Sequence, residues 1–166
     1  MIRVVLDTNV VVSANLHDEG LEAFVVSLAL DNQLQLCISE PILQEYERLL
    51  LYPHLKFLPG DVMPFLARVR RSAILVEPTK IITKARHEPD NRFLECADKA
   101  GAEFLITGNK RHFPTHWKQT SVVNAREFLE RHSLHEVTRA LKLPGFCRTT
   151  PFLRRADVFF DVLTSL

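Results

Sequence analysis

Ile2-Arg3-Val4-Val5-Leu6-Asp7-Thr8-Asn9-Val10 is the stretch on which the fold turns. A short apolar run ends abruptly in Asp-Thr-Asn. Such a run, closed by turn formers, reads as a buried strand. It is near-continuous rather than alternating, which predicts a strand covered on both faces, as in a parallel α/β sheet. Ligands of open α/β sheets sit outside the carboxyl ends of the strands. Asp7 stands at such an end, and the rest of the chain is read for other acids that reach the same place.

Downstream, short apolar strands alternate with helices, the α/β signature. Leu21–Leu30 reads as helix and residues 35–39 as a second strand. Pro41 starts the next helix, since proline is tolerated in a first turn. Ile42, Leu43, Tyr46, Leu49 and Leu50 form its buried face, and Glu45 borders that face. Pro53, Pro59-Gly60 and Pro64 read as a helix-breaking loop. Residues 65–72 follow as a short basic helix, 73–76 as a third strand and 81–85 as a further helical turn. A helix opened by Pro89 or Asp90 buries Phe93, Leu94, Ala97 and Ala100 and stops at Gly101. Asp90 projects on the side of that buried face, where a carboxylate needs a partner. Phe104-Leu105-Ile106 and Ser121-Val122-Val123 are the fourth and fifth strands. Asn124 and Glu127 have the spacing of a capping box ahead of Phe128 and Leu129. From about Ser133 the pattern changes: Leu134, Val137 and Leu141 suggest a helix ended by Pro144-Gly145. Phe152, Ala156, Phe159, Phe160, Leu163 and Leu166 then share one face of a last helix. Residues 2–131 are therefore read as one domain and 132–166 as a helical C-terminal extension, with its own domain, a second copy or another protein as alternative surfaces to cover.

At 166 residues the chain has the length of one domain with a real core. Its composition, 46% apolar and 25% charged, argues against disorder. A net charge of +1 supplies no general attraction for nucleic acid, so any such contact is local. Cys37, Cys96 and Cys147 show no C-x-x-C spacing and fit a reducing cytoplasm without a zinc site. Asp7 interrupts the apolar N-terminus, so no signal peptide is read. No apolar run approaches the ~18 residues of a membrane span. There is no glycine-rich phosphate loop, which argues against nucleotide-dependent chemistry.

Three acids stand out by position: Asp7 at a strand end, Glu45 beside a buried helix face, and Asp90 at a helix start with its side chain inward. Each has a plainer role available, as strand-end cap, solvated helix residue and N-cap respectively. Together, converging carboxylates repel and raise one another's pKa unless a cation sits between them. Oxygen ligands favour hard ions, Mg²⁺ or Mn²⁺. Such ions activate water and neutralise phosphate in phosphodiester cleavage. Asp98 reads as surface, and His87, His112 and His116 as loop or surface histidines.

Leu6-Asp7-Thr8-Asn9-Val10, Ser39 with Glu45, Asp90-Asn91-Arg92-Phe93-Leu94-Glu95-Cys96-Ala97, and the run from Ala100 through Thr107-Gly108-Asn109-Lys110-Arg111-His112-Phe113-Pro114 resemble the PIN domain (PilT N-terminus) family. The likeness is closest to its toxin branch from prokaryotic toxin–antitoxin systems, of VapC type, and covers roughly residues 2–131 in the family's order and spacing. The resemblance implies a three-layer α/β/α fold with a parallel sheet of about five strands. It also implies a Mg²⁺- or Mn²⁺-dependent endoribonuclease. The family's first three acids fall on Asp7, Glu45 and Asp90, the implied metal ligands. Its fourth acidic position falls on Asn109, a neutral departure also carried by related T-G-N-x-x-H-F-P branches; it bears on whether a second metal binds. Thr8, Asn9 and Thr107 are candidate supporting hydroxyl and amide groups.

On this reading Asp7 and Asp90 hold the ion, Glu45 completes the shell or helps deprotonate water, and Asn109 orients water or phosphate. RNA is held by backbone charge, with Lys110 and Arg111 the first candidates. Arg68, Arg70 and Arg71 form a second basic cluster for which a solvated surface is at least as good a reading. The resemblance further implies an antitoxin that covers the site, and a homodimer as a common arrangement; no membrane contact is implied. Two other classes compete. One is a PIN-fold RNA- or protein-binding module without cleavage, favoured by Asn109. The other is an aspartyl-nucleophile phosphatase, opposed by Asn9 where such enzymes commonly carry a second Asp.

Overall fold

The structure, a computed structural model, describes residues 1–131. The helices expected in the tail, and with them the proposed division at residue 132, fall outside the described residues. The first strand, β1 (Arg3–Leu6), has Val4, Val5 and Leu6 all buried. Consecutive buried residues point to opposite faces, so both faces of β1 are covered, as its apolar run predicts. A helix, α1 (Thr8–Leu16), starts directly at the strand's end, with Asp7 as its N-cap residue. This helix was not legible in the sequence.

The chain then runs through α2 (Leu21–Leu30), β2 (Gln35–Ile38), α3 (Glu40–Leu50), α4 (Pro59–Ser72) and β3 (Ile74–Leu75). It continues with α5 (Asn91–Ala100), β4 (Phe104–Ile106), β5 (His116–Trp117), β6 (Thr120–Val123) and α6 (Ala125–Arg131). The sheet order is β3-β2-β1-β4-β6-β5. All neighbours are parallel except β5 and β6, which form an antiparallel hairpin at one edge. The α/β fold is as expected, with this hairpin strand added to the five expected strands. Helix α5 packs across β1, β2 and β4, while α2 packs against α4, α6 and β2. No helix among the described residues is long and apolar enough to cross a membrane.

Two local expectations are corrected. Pro59-Gly60 and Pro64 do not mark a loop: α4 begins at Pro59 and runs through Pro64. An interior proline costs about 3 kcal/mol. Val62, Phe65, Leu66 and Val69 are buried on this helix, and at roughly 1.5–3 kcal/mol each they outweigh that cost. Residues 81–85 form no helical turn. Their backbone is held instead by side chains of α5: Ile82 N–H donates to Glu95 Oε1 at 2.9 Å, and Lys84 and Ala85 N–H both donate to Asn91 Oδ1 at 2.8 Å. The residues that a helix would satisfy internally are satisfied from outside. The capping box is as read: Glu127 N–H donates to Asn124 Oδ1 at 2.8 Å, and Asn124 N–H to Glu127 Oε2 at 3.2 Å.

Tyr46 ties α3 to the strand end. It is fully buried, and its hydroxyl donates to Leu6 O at 2.5 Å. Burial raises its pKa well above the ordinary tyrosine value, so it remains a donor. Tyr46→Phe removes the donor and leaves its apolar body in place. The expected loss is about 1–2 kcal/mol of unfolding free energy at an unchanged slope in urea; a loss below measurement error contradicts this role for the hydroxyl.

Candidate active site

In an open parallel sheet, the place where strand order reverses leaves a crevice at the carboxyl ends. Here β1 is followed by β2 on one side, while β4 returns on the other. The crevice therefore lies between the ends of β1 and β4, where Asp7 and Thr107 immediately follow their strands. Asp7 N–H donates to Ile106 O at 2.9 Å, and Thr107 N–H to Val123 O at 2.9 Å, so both residues are fixed by the sheet itself.

Asp7 is only 6% exposed. Its Oδ2 accepts from the Thr107 hydroxyl at 2.6 Å and from Asn9 Nδ2 at 2.6 Å. Asn9 Oδ1 in turn accepts from Gly108 N–H at 2.8 Å. A Cβ at position 108 would stand 3.2 Å from that oxygen, which accounts for glycine there. Thr8 does not touch Asp7; its hydroxyl donates to Glu45 Oε1 at 2.6 Å. The other Glu45 oxygen meets Arg92 Nη1 at 2.9 Å. Asp90 occupies the N-cap position of α5 without capping it: its carboxylate instead meets His112 Nδ1 at 2.9 Å. Asn109 sends its N–H to Thr107 Oγ1 at 2.9 Å and its amide nitrogen to His112 Nε2 at 2.7 Å.

The charges of Asp90 and Glu45 both reach Asp7. Burial raises the Asp7 carboxyl to a pKa of about 6. The Thr107 hydroxyl and the Asn9 backbone pull it down, while the charges of Asp90 and Glu45 push it further up. No ion pair to Asp7 exists among the described residues. Asp7, Glu45 and Asp90 thus form a negative region in which Glu45 pairs with Arg92 and Asp90 meets the His112 ring.

The sequence did not single out Arg92 or His112. His112 is corrected from a loop or surface histidine to a residue bridging Asp90 and Asn109, and the His87 ring lies tilted against it with centroids 4.3 Å apart. The only available signal was the three-residue interval from Asn109 to His112. Asp98 is also corrected: its side chain is 8% exposed beneath Lys80 and Lys118. The hydrogen bond from Lys118, more than its burial, sets its pKa, which lies below the usual carboxylate value. Of the cationic candidates, Lys110 Nζ sits 2.7 Å from both oxygens of Glu127, whereas Arg111 is exposed. In the second cluster, Arg68 pairs with Asp31 at 2.5 Å and Arg70 with Glu40 at 3.0 Å.

The donors around Asp7 suit a hard divalent cation, since all are oxygens and their charges are mutually unfavourable without one. Among the described residues no three His, Cys, Asp or Glu side chains are grouped closely enough to enclose an ion. Mg²⁺ does not require such a cage, because it is commonly held by one or two carboxylates with waters and substrate phosphate. Asp7 and Asp90 fit that arrangement; Glu45 is engaged by Arg92 and Thr8.

The raised Asp7 pKa has a stability consequence. An unfolded Asp ionises near 3.9. Ionising Asp7 in the metal-free protein therefore costs stability progressively as pH rises from about 4 through about 6. Asp7→Asn removes the charge and keeps an acceptor. Without metal, it is expected to stabilise the chain at pH 8 by on the order of 3 kcal/mol, and by much less at pH 4. Urea denaturation at the two values measures this; an equal effect at both would contradict it.

Comparison with known proteins bears on the family. An uncharacterized protein of Methanocaldococcus jannaschii, MJ1680, is 29% identical over 112 residues, 66% of this chain and 72% of that protein. No solved structure matches at a significant level. The model of the PIN domain family matches residues 3–111, which takes in Asp7, Glu45, Asp90 and Asn109. By that match over most of its length, the chain belongs to the PIN domain family.

Proposed function

We propose that this protein is a Mg²⁺- or Mn²⁺-dependent endoribonuclease and the toxin of a toxin–antitoxin pair. The observation that carries the nuclease is Asp7, a buried carboxylate raised to a pKa of about 6 and pressed by the charges of Asp90 and Glu45. A cation relieves that pressure. PIN domains are typically nucleases, and the family membership supports the same reading. The toxin assignment rests on the likeness of the motifs to the toxin branch, and it brings with it a cytoplasmic location and an antitoxin partner.

In this mechanism Asp7 and Asp90 hold the ion. When bound, it polarises the scissile phosphate and lowers the pKa of water. Asp7 is kept in place by Thr107 and Asn9, and its burial keeps bulk water from screening its charge. Glu45 stands on the other side, oriented by Thr8 and Arg92. Its carboxylate is the candidate acceptor for the proton of the attacking water. Arg111, exposed beside Asn109, is the first candidate to hold the RNA backbone.

Asn109 favours a second reading, a PIN-fold module that binds RNA or protein without cutting. The two part in one assay: cleavage of a structured RNA with Mg²⁺, with Mn²⁺ and with EDTA, beside Asp90→Asn prepared identically. The nuclease is expected to cut only with metal, and the variant to lose at least about 100-fold. Wild-type inactivity accompanied by intact RNA binding would favour the module. Growth arrest on expression of wild type, absent with Asp90→Asn, is the outcome expected of a toxin.

RNA binding separates the two basic neighbours. Arg111→Ala is expected to weaken binding to single-stranded RNA and to flatten the salt dependence by about 0.7 in the log–log slope. Lys110→Ala, whose amine is already held by Glu127, is expected to change that slope little. Filter binding across a salt series checks both; the reverse order would reassign the contact.

A further inference from the structure

We propose that Asn109 and His112 form one positioning unit for the Asp90 carboxylate, so that the amide acts through the imidazole rather than on a metal. The inference rests on the nuclease reading for its functional consequence, and its geometry stands apart from it. The starting point is a local one. Lys110–His112 is a single 3₁₀ turn with Asn109 at its N-cap. The turn brings His112, three residues on, back beside the Asn109 amide. Asn109 Nδ2 lies 2.7 Å from His112 Nε2, and His112 Nδ1 lies 2.9 Å from Asp90 Oδ2.

The two contacts specify a tautomer. An imidazole nitrogen that accepts from an amide carries no proton, so the ring's one proton sits on Nδ1, facing Asp90. The ring has little freedom to do otherwise. The His87 ring lies tilted against it, His112 O accepts from Arg86 N–H at 2.7 Å, and the next residue, Phe113, is buried edge-on against Phe93.

Asp90 has a competing choice. Aspartate at a helix start ordinarily turns back to cap the first free N–H groups. Here it makes no such bond, and the hydrogen bond to its carboxylate among the described residues comes from His112. The imidazole thus holds the acid away from α5. Asn109 also bonds Thr107 through its own N–H, and Thr107 bonds Asp7. One hydrogen-bonded series therefore runs Asp7–Thr107–Asn109–His112–Asp90 and joins the two acids.

Two measurements on the full chain test this. The first reads the tautomer alone, by long-range nitrogen–proton NMR of metal-free protein at pH 8. Wild type is expected to show His112 with a protonated Nδ1 and a bare Nε2, and Asn109→Ala to lose that preference. A protonated Nε2 in wild type overturns the proposal whatever the activity. The second is steady-state RNA cleavage with Mn²⁺, alongside Mn²⁺ binding by electron paramagnetic resonance. His112→Ala is expected to lower kcat about 10–100-fold with little change in KM for RNA, and to weaken Mn²⁺ binding. His112→Asn, which can place an amide N–H where Nδ1–H stood, is expected to recover most of the loss. His112→Gln, which reaches the Nε2 position, is not. Asn109→Ala added to His112→Ala is expected to cost nothing further. Multiplying losses would mean that Asn109 acts directly on metal or substrate, and equal losses for the Ala and Asn variants would mean a packing role; either result overturns the proposal. A wild type with the expected tautomer and no cleavage or Mn²⁺ binding would fail the nuclease reading while leaving the tautomer assignment confirmed.

Discussion

The structure is organised around keeping one negative charge, Asp7, out of water. A buried carboxylate without a cationic partner is among the most costly groups a small domain can hold. The fold accepts that cost at the point where strand order reverses, between β1 and β4. Nothing about packing requires an acid there, since Val4, Val5 and Leu6 fill the same strand with apolar side chains. The neighbours moderate the cost with neutral donors: a hydroxyl from Thr107 and an amide from Asn9. They stop short of neutralising it. A site finished with a lysine or arginine against Asp7 would be more stable.

The supporting groups come from every strand end around the crevice. The segment after β1 supplies Asp7, Thr8 and Asn9, the helix after β2 supplies Glu45, and the turn after β4 supplies Thr107 through His112. Parallel topology makes this convergence possible, because all these strands end on one side of the sheet. Tyr46 adds a cross-link within this arrangement: one residue from Glu45, it reaches the carbonyl of Leu6, one residue from Asp7. The position of the second acid relative to the first is thereby set by a bond between their neighbours.

What was legible in the sequence follows from the kind of signal each feature leaves. Buried strands leave contiguous apolar runs, so β1, β2, β4 and β6 were readable to within a residue or two. Glu45 and Asp90 were placed correctly at the edges of buried faces because helical periodicity fixes direction. The β5–β6 hairpin was not readable, since His116 and Trp117 are two residues long and carry no period. Helix α1 was missed because Thr8-Asn9 reads as a turn, yet its cap is the acid before it. Helix α4 was cut short because proline's local cost was weighed without the burial that outweighs it. Ion pairs left no trace at all. Arg92 with Glu45, Lys110 with Glu127 and Arg68 with Asp31 join residues distant along the chain, and no spacing rule connects them.

The segment between β3 and α5 has no helix or strand of its own until the short turn at Glu88–Asp90. It is held chiefly by Asn91 and Glu95 on α5, which accept from the backbone of Ile82, Lys84 and Ala85. Backbone N–H groups are the same in every residue but proline, so these three bonds say little about side chains; Ile82, buried in the core, adds an apolar anchor. The stretch that leads into Asp90 is thus fastened twice, by hydrogen bonds to α5 and by an apolar side chain in the core.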